Sequence, residues 1–589
     1  MASQPVVHDV RADSNIEKSE TEMTEHKELA LSSHDPAYND AELEPEIHWR
    51  TYVALLAMVL INYVAVISLQ APPAVLNFIG NSLNASDSQT WIPNAPNLIC
   101  GAIGPILSSA SDIFQARKNI ILAGCAMGII GCAIVPGSSS IGRVIAGQTI
   151  KGFGYATTPL LYAIPSEILP NKWRPIAQAI INVAAACASI SGPLAIGALV
   201  KSDPVRGWRT FWWIEMGMWA ASLISIYFGY NPLKRKTQYD SLTWVQKLRK
   251  LDIPGSFLLT GSVTLILVGL GLGGGQFSWG SATVIATIVV GGVLAIAFGM
   301  YEWKGTGAGI LHHDLFKPGK ANGRTFSICT GLFAIEAILI ITFTIFYPII
   351  TQAMYESDPF LIVARGMPYW VATTLCTPIW AYASSRYQDI RWPMFGGFTI
   401  WTAGVIGFAT LQPDTDFSAM AFAALSGVGF AAPLVMIIAG VQLSVPHDLI
   451  ATGTSAATSA RALANAITTS VYTAIYRALL TSAMPSRIPS AVTAAGLPVS
   501  SVPDLIQALA ANDASAVMAV AGVTPSIAAI GTSIYKQAVA DSARIVFIIT
   551  AVIGALGTAC VLLIDNMKER MNYQTDAPVE ELHAKGIKG

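Results

Sequence analysis

From Tyr52 onward the chain repeats one pattern: a long apolar run, a short polar connection, then another run. A helix crossing about 30 Å of hydrocarbon needs about 20 apolar residues, each adding about 1.5 Å along its axis. Such runs lie near 51–71, 92–112, 119–136, 141–164, 175–200 and 210–230. Two more follow near 254–273 and 281–302, then six near 326–350, 361–384, 394–411, 418–441, 453–480 and 543–564. Fourteen runs of this length point to an all-α polytopic membrane protein, because backbone groups inside lipid must find partners within their own segment. The charge content agrees. Only 12% of the 589 residues are charged and 53% are hydrophobic, whereas a soluble domain carries about 25% charged residues. A large soluble core does not explain the deficit, since cores stop growing near about 250–300 residues.

Residues 1–50 are rich in Glu, Asp, Ser and His and lack an apolar stripe, which predicts a disordered tail. Their polarity argues against a cleavable signal peptide and leaves the first span as the membrane address. Basic residues gather in alternate connections: Arg117 and Lys118, Lys172 and Arg174, the cluster from Lys234 to Lys250, Lys304 to Arg324, Arg386 and Arg391, and Lys568 and Arg570. The intervening loops 72–91, 273–281 and 351–360 hold none. By the positive-inside rule both termini are cytoplasmic. The expected division is then a cytosolic tail 1–50, a six-span bundle 51–230, a cytosolic loop 231–253, a helix pair 254–303 and a cytosolic loop 304–325. A second six-span bundle 326–566 follows, with an extracellular, partly ordered loop 481–540, and then the cytosolic tail 567–589. The sequon Asn84-Ala85-Ser86 falls in the first outward loop and makes Asn84 a glycosylation candidate.

The net charge of −1 gives no reason to expect nucleic acid. All seven cysteines sit in or beside apolar runs, none in a C-x-x-C pair; they read as small membrane-buried side chains. His312-His313-Asp314 lacks further ligands nearby, so no metal and no cofactor is expected. A membrane enzyme would need clustered nucleophiles, carboxylates or histidines at one depth, and the spans offer none.

Several motifs carry a resemblance. Ser108-x-x-x-Asp112-Ile113-Phe114-Gln115-Ala116-Arg117-Lys118 resembles the G-x-x-x-D-x-x-G-R-[RK] loop of the major facilitator superfamily. That resemblance implies a cytosolic charge latch of Asp112 and Arg117, with Ser108, Gln115 and Ala116 departing from the pattern. Ala188-Ser-Ile-Ser-Gly192-Pro193-Leu-Ala-Ile-Gly197 resembles the fifth-span signature of proton-coupled exporters. Its proline bends the helix and its glycines allow close packing, so Gly192, Pro193 and Gly197 form the expected gate. Gly207-Trp208-Arg209, Leu251-Asp252-Ile253-Pro254-Gly255, Gly273-Gly274-Gly275 and Trp279 look like the fourteen-span drug:proton antiporters. Within that group, Pro165-Ser166-Glu167-Ile168-Leu169-Pro170-Asn171-Lys172-Trp173-Arg174-Pro175 is similar to the fungal trichothecene efflux pump family. The likeness covers about residues 48–566. It implies a major facilitator fold of two six-helix bundles plus an inserted pair, able to work as a monomer.

Charge inside hydrocarbon is costly and marks function. Glu336 lies about 15 Å into the ninth span at about 1.5 Å per residue, in the helix that the family fold places beside the central cavity. It is the expected proton carrier. Glu215, near the outer end of the sixth span, reads as reaching the interface. Gly147-Gln148-Thr149-Ile150-Lys151-Gly152-Phe153-Gly154 resembles the family's G-R-x-x-Q-G-x-G, with Gln148 at the arginine position and Lys151 one turn on. Arg461 matches an arginine common in the family. The expectation is one charge set of Lys151, Glu336 and Arg461 around the cavity, with substrate and proton competing for Glu336. Asn62, Tyr63, Gln70, Gln148, Gln178, Asn182, Asn465 and Tyr472 supply the polar candidates of its wall.

The reading that follows is a proton-driven exporter of a small amphipathic compound, a fungal toxin or specialised metabolite, in the plasma membrane or else the vacuolar membrane. Its partners are that substrate, protons and lipid. Uptake of ferric siderophores by the same fold is the rival, and a non-transporting nutrient sensor is the alternative of another class.

Overall fold

The computed structural model describes residues 42–582 apart from 86–87, 90, 204, 234–240, 274–276, 306–314, 317–321, 357, 447–448, 511–513, 576–577 and 580–581. Most of the tail expected to be disordered, His312-His313-Asp314, Gly274-Gly275 and Ser86 of the sequon lie outside the described residues.

The described chain is helical. The first part comprises α1 (Trp49–Ala74), α2 (Leu76–Ser82), α3 (Trp91–Phe114), α4 (Arg117–Ile134), α5 (Ile141–Tyr155), α6 (Thr158–Ile168), α7 (Arg174–Ser202) and α8 (Gly207–Gly229). Then come α9 (Trp244–Lys250), α10 (Ile253–Leu272) and α11 (Ala282–Met300). The remainder is α12 (Gly323–Ile350), α13 (Pro359–Arg365), α14 (Met367–Tyr387), α15 (Arg391–Phe408), α16 (Asp416–Ser444), α17 (Ile450–Ala494), α18 (Val502–Ala510), α19 (Ala514–Ala519) and α20 (Pro525–Val561). Among the described residues, nine helices are long and apolar enough to cross a membrane. The other expected spans coincide with helices that are broken or diluted by Trp, Thr, Ser and Gly. The span expected at 141–164 is interrupted between α5 and α6, where Pro159 sits in the first turn of the second helix and denies it a continuous bond ladder. The span at 361–384 breaks in the same way before Pro368, between α13 and α14.

α1 and α3 to α8 pack as one half, and α12, α14 to α17 and α20 as the other. α10 and α11 pair chiefly with each other, with α10 against α3 and α17. The halves meet along two seams, α7 on α14 and α3 on α17. Close approach within each half is made by glycine. A Cβ on Gly429 would stand 2.2 Å from the Trp401 backbone nitrogen and 2.7 Å from the Gly397 carbonyl oxygen. Both neighbours are backbone and cannot turn aside, so Gly429→Ala is expected to destabilise the protein by about 1–3 kcal/mol. Thermal unfolding of the solubilised protein measures it; an unshifted melt would contradict this packing.

The segment 481–540, expected as a partly ordered loop, is largely helix in its described residues. α17 continues to Ala494, and α18, α19 and the start of α20 pack around it. Met484, Ile488 and Val492 recur every fourth residue and are buried, as are Leu505, Leu509 and Ile527. This helical stripe is hidden in an Ala-, Ser- and Pro-rich composition.

The face on which the described chain begins and ends is tied shut across the halves. Beyond α20 the chain runs back under the first half. Asn171 donates its backbone N–H to the Gln574 carbonyl at 2.9 Å, and Lys172 to the Asn572 carbonyl at 2.7 Å. Lys172 Nζ also reaches the Tyr573 hydroxyl at 2.8 Å. Gln388 Nε2 donates to the Met571 carbonyl at 2.8 Å, and Arg570 Nη1 to the Leu443 carbonyl at 3.0 Å. Met571 is fully buried. The terminal segment is thus a strap holding the loop before α7 against α14 and α16.

At the opposite face one ion pair crosses between the halves, Lys201 Nζ to Asp358 Oδ2 at 2.7 Å. The Lys201 ammonium, and after it the Phe360 N–H, hold the Asp358 carboxyl below the usual carboxylate range. A depressed pKa means that the charged contact is present above that range and is lost as pH falls through the lowered value. The contact is therefore expected to persist unchanged from about pH 5 to 8. Spin labels at Val205→Cys and Leu361→Cys, both exposed, should report a constant distance over that interval. Asp358→Asn should lengthen it at every pH; no change in the variant would show that the pair does not restrain this face.

Candidate functional site

Between the halves lies a cavity of about 550 Å³. Leu76, Phe78, Trp91, Ile349, Gln352 and Ile362 line its mouth, which is toward the face opposite the termini. Tyr155, Tyr162, Asn182, Phe430, Leu434 and Arg461 line its floor. Most of the wall is aliphatic or aromatic. Polar groups come from Gln70 on α1, Asn94 and Asn97 on α3, and a stripe on α17 of Thr458, Arg461, Asn465 and Thr469. These four recur at three- and four-residue intervals and so share one helix face.

Arg461 is held by Glu336. Its Nε donates to Oε2 at 2.6 Å and its Nη2 to Oε1 at 2.7 Å, a two-bond fork. The guanidinium also lies 4.9 Å from the centre of the Phe333 ring. Glu336 has no exposed side-chain surface, whereas 21% of the Arg461 side chain is exposed. The carboxylate is therefore behind the arginine, away from the cavity wall.

Lys151 belongs to a different cluster. Its Nζ is 3.0 Å from Glu215 Oε1 and donates to the Ser68 carbonyl at 3.3 Å. Glu215 Oε1 also accepts from the Ser68 hydroxyl and, at 3.3 Å, from Trp219 Nε1. Every member is buried, and neither charge lines the cavity. The expected single set thus divides into two pairs, one per half. Glu215 does not reach the interface; the lysine on α5 and the indole one turn further along α8 draw it inward.

Of the other wall candidates, Asn182 and Asn465 line the cavity. Asn182 Nδ2 donates to the Gln178 carbonyl at 2.9 Å. The Oδ1 of Asn465 is buried with no hydrogen-bond partner. The remaining candidates pack between helices and do not line the wall. Asn62 donates to the Ile181 carbonyl at 2.9 Å, and the Tyr63 hydroxyl meets Ser191 Oγ at 2.7 Å. The Tyr472 hydroxyl accepts from Thr550 at 3.4 Å. Gln148 is buried one turn before Lys151, with both amide atoms unpartnered.

Gln178 sits where the halves close below the floor. Its Nε2 reaches Gln442 Oε1 at 3.1 Å, and Gln442 Nε2 reaches Thr454 Oγ1 at 3.2 Å. Arg174 donates to the Gln442 carbonyl. Nearby, Arg117 pairs with Asp112 at 2.9 Å and with Glu167, and Thr452 on the other half donates to Asp112 Oδ2 at 3.1 Å. Gln442 and Thr452 were not singled out in the sequence, and Glu167 entered only within the motif from Pro165 to Pro175. Gln442 is a lone amide in the run Leu434–Leu443 and could have been.

α7 runs unbroken through Pro193, which lines the cavity. A Cβ on Gly192 would be 3.3 Å from Ile67 and 3.4 Å from Ala71, so this glycine seats α7 on α1; Gly197 faces open space. Asn84 is exposed in the turn after α2 with φ 50°.

Two bundles around a central cavity, with one face closed and the other open, define a membrane transporter of the major facilitator kind. A bacterial homologue of the human lysosomal transporter Spinster, solved inward-facing and unoccupied, shares the fold at TM-score 0.51 and 14% identity, covering 88% of this chain and 98% of that one. Residues 37–585 match the family described as fungal trichothecene efflux pump. The chain belongs to that family, whose members are transporters and not enzymes. The efflux pump apf11 of Gibberella fujikuroi is 28% identical, over 71% of this chain and 74% of its own length. The MFS-type transporter ltbE of Aspergillus luteorubrus is also 28% identical, over 56% of this chain and 58% of its own. The chain therefore spans little more than half the length of the latter.

Proposed function

We propose that the chain exports a small amphipathic organic compound, of the toxin or specialised-metabolite kind, by proton antiport and alternating access. The observation that carries this reading is the cavity between the halves. Its volume of about 550 Å³ falls within the range of about 300–1,000 Å³ typical of small-molecule sites. Its wall is mainly apolar with a few polar groups, which suits an amphipathic guest. The bonds of Asp112, Arg117, Gln178 and the strap close the face of the termini, while Lys201–Asp358 is all that bridges the other among the described ion pairs. Moving a substrate across requires these two sets to break in alternation. The efflux pump named among the relatives supports the outward direction.

In this reading two six-span bundles and the inserted pair make fourteen spans, the termini are cytoplasmic, the monomer works alone, and the cavity opens outside the plasma membrane. Glu336 carries the proton, Arg461 transmits its charge state to the cavity, and Lys151 holds the first half through Glu215. The gate is the close seat of Gly192 on α1, with Pro193 beside it at the cavity wall. Orientation has an inexpensive test. Expressed in a glycosylating host, the protein should show an endoglycosidase-sensitive shift that Asn84→Gln removes; a glycan on a site at the termini instead would reverse the orientation.

Transport is tested in inside-out vesicles with an imposed acid-inside gradient, using a trichothecene and a ferric siderophore side by side. Gradient-driven accumulation of the trichothecene would establish proton-coupled export. Movement of the siderophore alone, in the uptake direction, would replace export with siderophore uptake.

A further inference from the structure

We infer that the cavity selects amphipathic organic anions, and that Arg461 is the group that receives the anionic head. The inference rests on the transport reading above and names the substrate class of the same site.

Its basis is an asymmetry in the cavity wall. Among the described lining residues there is no Asp, Glu, Lys or His; the charged ones are Arg461 and Arg477. A cationic guest would find no carboxylate there and would bring its charge up to arginine. An anionic guest meets the reverse. The partner of Arg461 does not cancel this preference, because Glu336 is wholly buried and does not line the wall. Both Glu336 oxygens are occupied by Nε and Nη2, which leaves Nη1 as the third donor edge of the fork. The Arg461 side chain as a whole keeps 21% of its surface exposed. A guest at the wall is therefore nearer to the guanidinium than to the carboxylate behind it, and its anionic group is drawn to the nearer charge.

Two further features fit an acidic head on an apolar body. Asn465, one turn along α17 from Arg461, lines the wall with its Oδ1 buried and unpartnered. A buried acceptor of this kind needs a donor, which a hydroxyl beside the anionic group would supply. Tyr347, Trp370, Phe430 and Phe343 also line the cavity and give aromatic wall for the body of the guest. Glu336 is then a positioning residue. It fixes the guanidinium plane, and its protonation would release Arg461 from the fork, altering how the anion is held without the anion touching the acid.

The test uses the full chain in lipid nanodiscs and three probes that share one apolar body: dansylaminoundecanoic acid, its methyl ester, and the corresponding primary amine. Empty nanodiscs give the lipid background. The acid should bind at least about tenfold more tightly than the amine, a difference of about 1.4 kcal/mol, with the ester between them. Removing Arg461 alone would strand Glu336, so the variant is Arg461→Gln with Glu336→Gln, which replaces the ion pair by two amides. It should keep the ester affinity within about twofold and lose the preference for acid over ester, since that preference is the arginine's own contribution. An amine bound as tightly as the acid, an acid preference that survives in the double variant, or a folded wild-type protein that binds no probe would each overturn the inference. The same acid is then followed in inside-out vesicles. Binding with the expected preference but no gradient-driven movement would sink the export reading and leave the selectivity standing.

Discussion

Lys151→Met should lower the stability of the solubilised protein by about 3–5 kcal/mol, the usual cost of stranding one member of a buried ion pair. Glu215 would keep the Ser68 hydroxyl and the Trp219 indole as donors but would lose the Lys151 ammonium, its cation among the described residues of the cluster. Pairing the change with Glu215→Gln removes both charges and should recover most of the loss, because a matched polar pair avoids a buried net charge. Thermal melts of the two variants decide the matter. If Lys151→Met melted like the wild type, the pair would contribute nothing, and the position of Lys151 would need another explanation.

Glu336→Gln should have the larger functional effect. The amide can accept one of the two bonds from Arg461, but its Nε2 then faces a guanidinium donor, and the arginine is left with its charge uncompensated. A stability loss of about 3–5 kcal/mol is expected, and transport should no longer respond to the pH gradient. The second readout matters most, since a merely structural glutamate would reduce the amount of folded protein without changing the pH profile of what remains. Normal transport with an intact pH response in Glu336→Gln would remove Glu336 from the coupling mechanism.

Much of the fold was legible because lipid imposes a simple rule on sequence. Each expected span from 51–71 to 543–564 coincides with a helix or a helix pair, since a run of about 20 apolar residues has few other uses. The two interruptions fall at Pro159 and Pro368, which open the second helix of each pair; a hydropathy run shows the apolar length and not this local loss of a backbone donor. The helices within 481–540 escaped notice because Met484, Ile488 and Val492 are thinly spread among Ala and Ser. At the site, Glu336 and Arg461 were legible as deep charges, but their pairing was not: they are 125 residues apart. Glu215 was misread for the same reason. Depth from a helix end says how far a side chain lies from water along one axis, and nothing about the lysine that waits beside it. Gln178 was visible as a polar residue, yet its use in closing one face depends on Gln442, which only the packing of α7 on α16 brings near.

The strap beneath the first half has a consequence for how the protein is made. Asn171 and its partner Asn572 are 401 residues apart, so the first half emerges from the ribosome and enters the membrane long before its closing segment exists. Through most of synthesis the loop before α7 has no Gln574 or Tyr573 to bind, and the face it guards has no cover. The seal is complete only once residues 570–574 have been made. A nascent chain that stops just short of it would hold all its spans and still lack these contacts.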